Sequence, residues 1–153
     1  MRVAIVGEAP SRETRGMPPF SGKSGARLAQ LAGLEPDALG DAFLLVNLLR
    51  GWPGQCGKGS AFPVPRGARA GDRVLPMLMA ERVALVVLAG RRVQAALGFG
   101  DADRPFLEWD HFAPWSPRGF SHAVLPHPSG VNHWWNDPAN ETAARAFLRP
   151  LAA

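Results

Sequence analysis

Four short runs of apolar, largely β-branched residues punctuate the chain: Arg2 to Val6, Phe43 to Leu48, Ala84 to Leu88 and His122 to Leu125. They are near-continuous rather than alternating, which predicts strands buried on both faces. Helical spacing lies between and after them. Ser24 to Leu34 carries Leu28, Leu31 and Leu34 on one face, with Ser24 as an N-cap. Asp72 to Arg82 predicts a second helix, in which Pro76 marks a kink or a late start. Arg91 to Leu97 follows Gly90, and Glu141 to Leu151 follows the start signal Asp137-Pro138. Strands alternating with helices need crossover connections. The expected fold is therefore a three-layer α/β/α arrangement around a central, mostly parallel four-stranded sheet, in one domain over residues 1–153.

Two stretches, Ser11 to Lys23 and Gly51 to Arg69, are rich in Gly and Pro and show neither period. Loops this long in a compact domain are usually functional or disordered. Phe106 to Phe120 contains Trp109, Phe112, Trp115 and Phe120, and reads either as an extra strand or as a covering loop.

Composition adds little to the fold but bears on partners. With 46% hydrophobic and 20% charged residues the chain is ordinary globular material. Its 17 Lys and Arg against 13 Asp and Glu give a net charge of +4, and Lys23 and Lys58 are the only lysines. Arginine forks bind phosphate in bidentate fashion, so a polyanionic partner fits. A GC-rich coding sequence produces the same arginine excess, so charge alone supports nucleic acid weakly. The single cysteine, Cys56, leaves no partner for an internal disulfide and no set for a cysteine-ligated cluster or zinc site. No run approaches the roughly 20 apolar residues that span a bilayer. Met1-Arg2 leads directly into a strand, leaving no room for a signal peptide, so a reducing, cytoplasmic compartment is expected.

The candidate chemistry sits where strands end. Gly7-Glu8-Ala9-Pro10-Ser11 follows the first strand, at the edge where an open parallel sheet presents its ligand loops. Glu8 there can position water or face developing positive charge, or it is a solvated turn carboxylate. Pro18-Pro19-Phe20-Ser21-Gly22-Lys23-Ser24-Gly25 places glycines and the Ser24 hydroxyl before a helix, like a phosphate cradle. Its spacing is not that of a Walker A loop. Phe20 is either a platform for a planar base or a hydrophobic staple of the helix. Asn47 ends the second strand; its amide needs partners, either backbone groups or the O4 and N3–H edge of uracil, a pattern opposite to that of cytosine. Gly90-Arg91-Arg92 offers an anion site at a helix start, or a solvated arginine pair. In Pro126-His127-Pro128-Ser129-Gly130-Val131-Asn132-His133-Trp134-Trp135, two prolines restrain His127. Ser129 and Gly130 can meet phosphate, and Val131, Trp134 and Trp135 can wedge into or stack on bases, unless the tryptophans fold back onto the core.

In order and spacing these pieces resemble the uracil-DNA glycosylase superfamily, closest to its GEAPG-type family 4. The resemblance covers nearly the whole chain. It implies that Glu8 is the water-side carboxylate and His127 the catalytic imidazole. Gly7, Ala9, Pro10, Ser11, Phe20 and Asn47 would form the base pocket, with Phe20 stacking and Asn47 reading the base edge. Ser24, Arg91, Ser129, Gly130, Val131, Asn132 and Trp134 would hold DNA. The implied activity is hydrolysis of the N-glycosidic bond of uracil in single- or double-stranded DNA by a monomeric, nucleoid-associated enzyme without metal or organic cofactor. The alternatives are a glycosylase for hypoxanthine, xanthine or 5-hydroxymethyluracil, a non-catalytic nucleic-acid-binding member, or an unrelated nucleotide-binding α/β protein. The sequence departs from family 4 in three ways. Cys56 stands alone where that family has four cluster cysteines, Ser11 replaces a glycine, and Ser129-Gly130 is more like the mismatch-specific branch. Ala9 stands where the superfamily's best-known branch has an aspartate.

Overall fold

Successive residues of a strand face opposite layers, so a strand between two helical layers must be apolar throughout. In β1 (Arg2–Gly7) Val3 and Ile5 join one core and Ala4 and Val6 the other. The structure, a computed structural model, describes residues 1–56, 59–60, 62–99, 103–111, 119–129 and 132–153. Its main sheet adds β2 (Leu44–Asn47), β5 (Val83–Ala89) and β6 (Ser121–Leu125) in the order β2-β1-β5-β6, with every neighbouring pair parallel. A small antiparallel pair, β3 (Gln55–Cys56) and β4 (Gly59–Ser60), lies between β2 and β5 in the chain. The helices α1 (Lys23–Ala32), α2 (Leu39–Ala42) and α5 (Pro138–Leu148) cover one face through Leu28, Leu31, Leu39 and Leu148. The helices α3 (Val64–Ala80) and α4 (Arg91–Leu97) cover the other through Val74, Leu78, Val93 and Leu97. The expected three-layer α/β/α fold is thus present.

The chain leaves β1 outward to β2, then crosses back to β5 and β6. The direction of winding therefore reverses between β1 and β5, and the carboxyl ends of those strands open a crevice there. The motifs after β1, β2, β5 and β6 all face this edge.

Element boundaries differ from the expected ones where packing overrides local signals. α1 starts at Lys23 with Gly22 at its N-cap and no side-chain cap, so Ser24 lies inside the first turn. Its first turn packs on the Phe20 backbone: a Cβ on Gly25 would lie 1.6 Å from the Phe20 carbonyl oxygen. The helix ends as expected near Leu34, with Gly33 left-handed and the Leu34 N–H donating to the Ala29 carbonyl at 2.8 Å. α3 starts at Val64, inside the stretch expected to be a loop, and continues through Pro76. Its glycines are contact positions. A Cβ on Gly67 would meet Phe62 at 2.5 Å, and one on Gly71 would meet Leu97 of α4 at 3.0 Å. α5 starts at Pro138, earlier than Glu141, because the Asp137 carboxylate accepts from the Ala139 N–H at 2.9 Å. Leu151 falls in a following 3-10 turn, Arg149–Leu151.

Over its described part the aromatic segment is a covering loop, joined to β6 by a single antiparallel bridge and not by a strand of its own. Leu107 N–H donates to the Val124 carbonyl, and Asp110 and His122 exchange antiparallel backbone bonds of 2.7 and 3.0 Å. This covers the open edge of β6. Phe112 and Trp115 lie outside the described residues. Among the described residues no helix is long and apolar enough to cross a membrane.

Candidate active site

Gly7 is the floor of the crevice. It ends β1 opposite Asn47 of β2, and its missing side chain is what the site is built around. A Cβ there would stand 2.6 Å from the Phe20 ring and 2.8 Å from the Asn47 amide oxygen. The ring and the amide therefore converge on one point above the strand end. Phe20 reaches it from a left-handed backbone conformation, with φ of 59°, a strained state for a residue with a side chain. The Asn47 amide has no hydrogen-bond partner among the described residues and lines the cleft. That favours the base-edge alternative over the backbone one.

The β1–β2 ladder continues past the strand ends and holds the next residues in place. Leu48 and Leu49 N–H groups donate to the Gly7 and Glu8 carbonyls at 3.0 and 2.8 Å. Glu8 is only 5% exposed. A carboxylate so buried needs partners, and Arg92 supplies a fork: Nε donates to Oε1 at 2.9 Å and Nη2 to Oε2 at 2.8 Å. Gly90, at φ of 114°, packs between β5 and this pair; a Cβ on it would stand 3.4 Å from His127 and 3.9 Å from Glu8 Oε1.

His127 is held on both sides. The Ser129 N–H donates to Nδ1 at 3.2 Å, and the Trp135 indole N–H donates to the His127 carbonyl at 2.9 Å. An acceptor at Nδ1 leaves the proton of a neutral imidazole on Nε2. Burial pushes the pKa of His127 below its ordinary value; Glu8 opposes that and Arg92 reinforces it. The ring is therefore a neutral donor at physiological pH.

These groups line a cleft of about 1060 Å³, wide enough for a nucleotide and its neighbours. Gly7, Glu8, Ala9, Pro10, Ser11, Phe20, Ser24, Asn47, Arg91, His127, Ser129 and Asn132 all contribute to its walls. Their commitments differ. The Ser11 hydroxyl lies 2.9 Å from that of Thr14, in a turn that orders the loop before Phe20. Arg91 stacks over Phe106 at 4.2 Å and bonds Gln94 and the Arg104 carbonyl. The Asn132 side chain caps a short turn by accepting from the Trp134 N–H at 3.1 Å. Trp134, expected on an exposed loop, is half-buried against Trp135 and Phe106, with ring centroids at 4.7 and 5.8 Å. Its apolar ring has neighbours to pack on, so it folds back. Gly130 and Val131 lie outside the described residues.

Three contributors had no assigned place in the sequence-derived site. Arg92 shared its reading with Arg91, and only the turn of α4 decides which of them meets Glu8. Trp135 supports His127 through the backbone, a role that the residue type does not announce. Trp52, on the loop after β2, lines the cleft with Arg15 5.8 Å from its ring. Among the described residues no group of three or more His, Cys, Asp or Glu side chains could hold a metal ion.

The arrangement can stack a planar ring on Phe20, address its edge from Asn47, donate a hydrogen bond from His127 and set a paired carboxylate beside it. No curated protein matches the chain in a direct sequence comparison. The family model described as the uracil DNA glycosylase superfamily matches residues 1–152. With the fold and the cleft in agreement, the chain belongs to the uracil DNA glycosylase superfamily.

Proposed function

We propose that the protein hydrolyses the N-glycosidic bond of uracil in DNA, leaving an abasic site for repair. Membership of the superfamily supports DNA glycosylase chemistry in general. The observation that carries the finer reading is the convergence of the Phe20 ring and the Asn47 amide on Gly7, beside a neutral His127. A pyrimidine rotated out of the stack, at a cost of about a few kcal/mol, would lie on Phe20 with its O4 and N3–H facing Asn47. As the C1′–N1 bond lengthens, its electron pair moves to the base and positive charge appears on the sugar. His127 Nε2–H then donates to the base oxygen that gains charge, and Glu8 faces the sugar and the incoming water. Water closes the C1′–O bond and its proton leaves to solvent or to the departing base. Arg91, Ser24, Ser129 and Asn132 are proposed to meet the DNA backbone, and Trp134 to buttress the His127 turn rather than to wedge.

The test uses labelled single- and double-stranded oligonucleotides carrying one uracil, followed by alkali. Breaks at the uracil that need alkali are expected from the wild type. His127→Ala should lose about 100-fold or more in rate while still binding DNA. Breaks without alkali would point to lyase chemistry instead of hydrolysis. The cleft is broader than a pyrimidine alone requires, so the same assay with hypoxanthine, xanthine and 5-hydroxymethyluracil decides the base. Undiminished excision by His127→Ala would sink its assignment.

A further inference from the structure

We infer that Arg92 is a positioning residue of this site, holding Glu8 as a paired, immobile carboxylate beside His127. The inference rests on the glycosylase reading and adds a residue to it. Four observations carry it. Both Glu8 oxygens are engaged by the fork, at 2.9 and 2.8 Å. Glu8 is 5% exposed while the Arg92 side chain is 45% exposed, so the arginine reaches in from the cleft wall to a fixed group. Arg92 itself stands 5.7 Å from the ring of buried Phe62, which packs on Gly67 of α3. Finally, Gly90 brings α4 close enough that His127 and Glu8 share one small volume.

The fork has a chemical consequence. A carboxylate whose oxygens both accept from a guanidinium is fixed in place, because turning it would break a charge-assisted pair. Glu8 is therefore presented to the cleft in one orientation. The carboxylate faces the sugar as positive charge appears there and keeps the incoming water oriented. Arg92 also balances the charge of Glu8 next to the imidazole, which keeps His127 a neutral donor. The competing role for Arg92 is a contact to a DNA phosphate. That contact would require it to give up both of its bonds to the buried Glu8, a costly exchange.

Single-turnover base release and DNA affinity, measured separately, distinguish these roles. The set is wild type, Arg92→Ala, Arg92→Lys, Glu8→Ala and the double variant Glu8→Ala/Arg92→Ala. A positioning residue predicts that Arg92→Ala slows release about 100-fold with affinity for the oligonucleotide unchanged. Arg92→Lys should recover part of the rate, since a point charge neutralises Glu8 without forking it. Adding Arg92→Ala to Glu8→Ala should cost nothing further, because Arg92 acts through Glu8. Weakened binding with an unchanged rate would overturn the inference in favour of a phosphate contact. So would an undiminished effect of Arg92→Ala in the Glu8→Ala background. If Arg92→Ala alone fails to fold, the Lys variant and the double variant, which removes the buried carboxylate together with its arginine, carry the comparison. A wild type that releases no base from any oligonucleotide would overturn the glycosylase reading itself and this inference with it.

Discussion

His127 commits Nδ1 to the backbone of Ser129 and its carbonyl to Trp135, and so enters the cleft with a defined tautomer. Its titration gives a prediction with a definite sign. Burial lowers the folded-state pKa below the ordinary 6.5. Between the folded pKa and that of the unfolded chain, the unfolded chain binds the extra proton. The stabilising contribution is therefore complete above pH 6.5 and is lost as the pH falls through the folded value. The neutral ring is also the donor the reaction needs. The acidic limb of the rate–pH profile attributable to His127 should lie below 6.5 and be missing from His127→Ala; a limb above that value would contradict a neutral donor. Asn47 gives a second prediction. Asn47→Asp replaces the amide donor with a carboxylate acceptor, which suits the amino group of cytosine. Release of cytosine relative to uracil should rise, by about tenfold or more for one exchanged hydrogen bond. Unchanged selectivity would mark Asn47 as a structural amide. Asn47 and His127 were legible because each stands in a short motif beside a strand end, and Phe20 because its motif directly precedes a helix. Arg92 was not, because its partner lies 84 positions away and its neighbour Arg91 is the same residue type.

Among elements, the four strands of the main sheet were read almost to the residue, since burial on both faces writes an uninterrupted apolar run, whereas the two-residue strands β3 and β4 fell in the stretch expected to be a loop. The start of α3 was missed for a physical reason. Pro65 and Gly67 read as loop punctuation, whereas the structure uses Gly67, with Gly71 one turn on, for close packing on Phe62 and α4. Tertiary contact overrides propensity there. The three-residue turn at Pro36–Ala38 and α2 were too short for any period to show. The same packing logic makes α1 the most sensitive helix at the site. A methyl on Gly25 would have to occupy the place of the Phe20 carbonyl oxygen, and that atom is backbone, so it cannot move aside cheaply. Gly25→Ala should cost about 3 kcal/mol and lower the melting temperature by roughly 10 °C. It should also weaken base binding, because Phe20 must shift. Calorimetry together with KM for the oligonucleotide checks both; a variant with wild-type melting would show that the first turn of α1 can slide.

At the scale of the whole molecule, the sheet order β2-β1-β5-β6 gathers four separate strand ends at one edge. No local sequence signal states that order. The motifs implied it only because two of them had to meet to make a site. The same edge concentrates positive charge: exposed Arg12 and Lys23 stand on the cleft wall with Arg91 and Arg92, within a chain of net charge +4. If this face receives a DNA backbone, binding must weaken linearly in log–log form as salt rises, through release of condensed counterions. Each cation that neutralises a phosphate contributes about 0.9 to that slope on duplex DNA and about 0.7 on a single strand. Arg12→Ala and Lys23→Ala should therefore each lower the affinity and flatten the slope by about one such step, for damaged and undamaged sequences alike. His127→Ala and Asn47→Asp, which act on the base, should leave the slope where it was. Fluorescence anisotropy on both strand states at several salt concentrations makes the comparison. Slopes that do not respond to Arg12 or Lys23 would move the backbone track away from the loop before α1, toward the Arg91 and Ser129 side of the cleft.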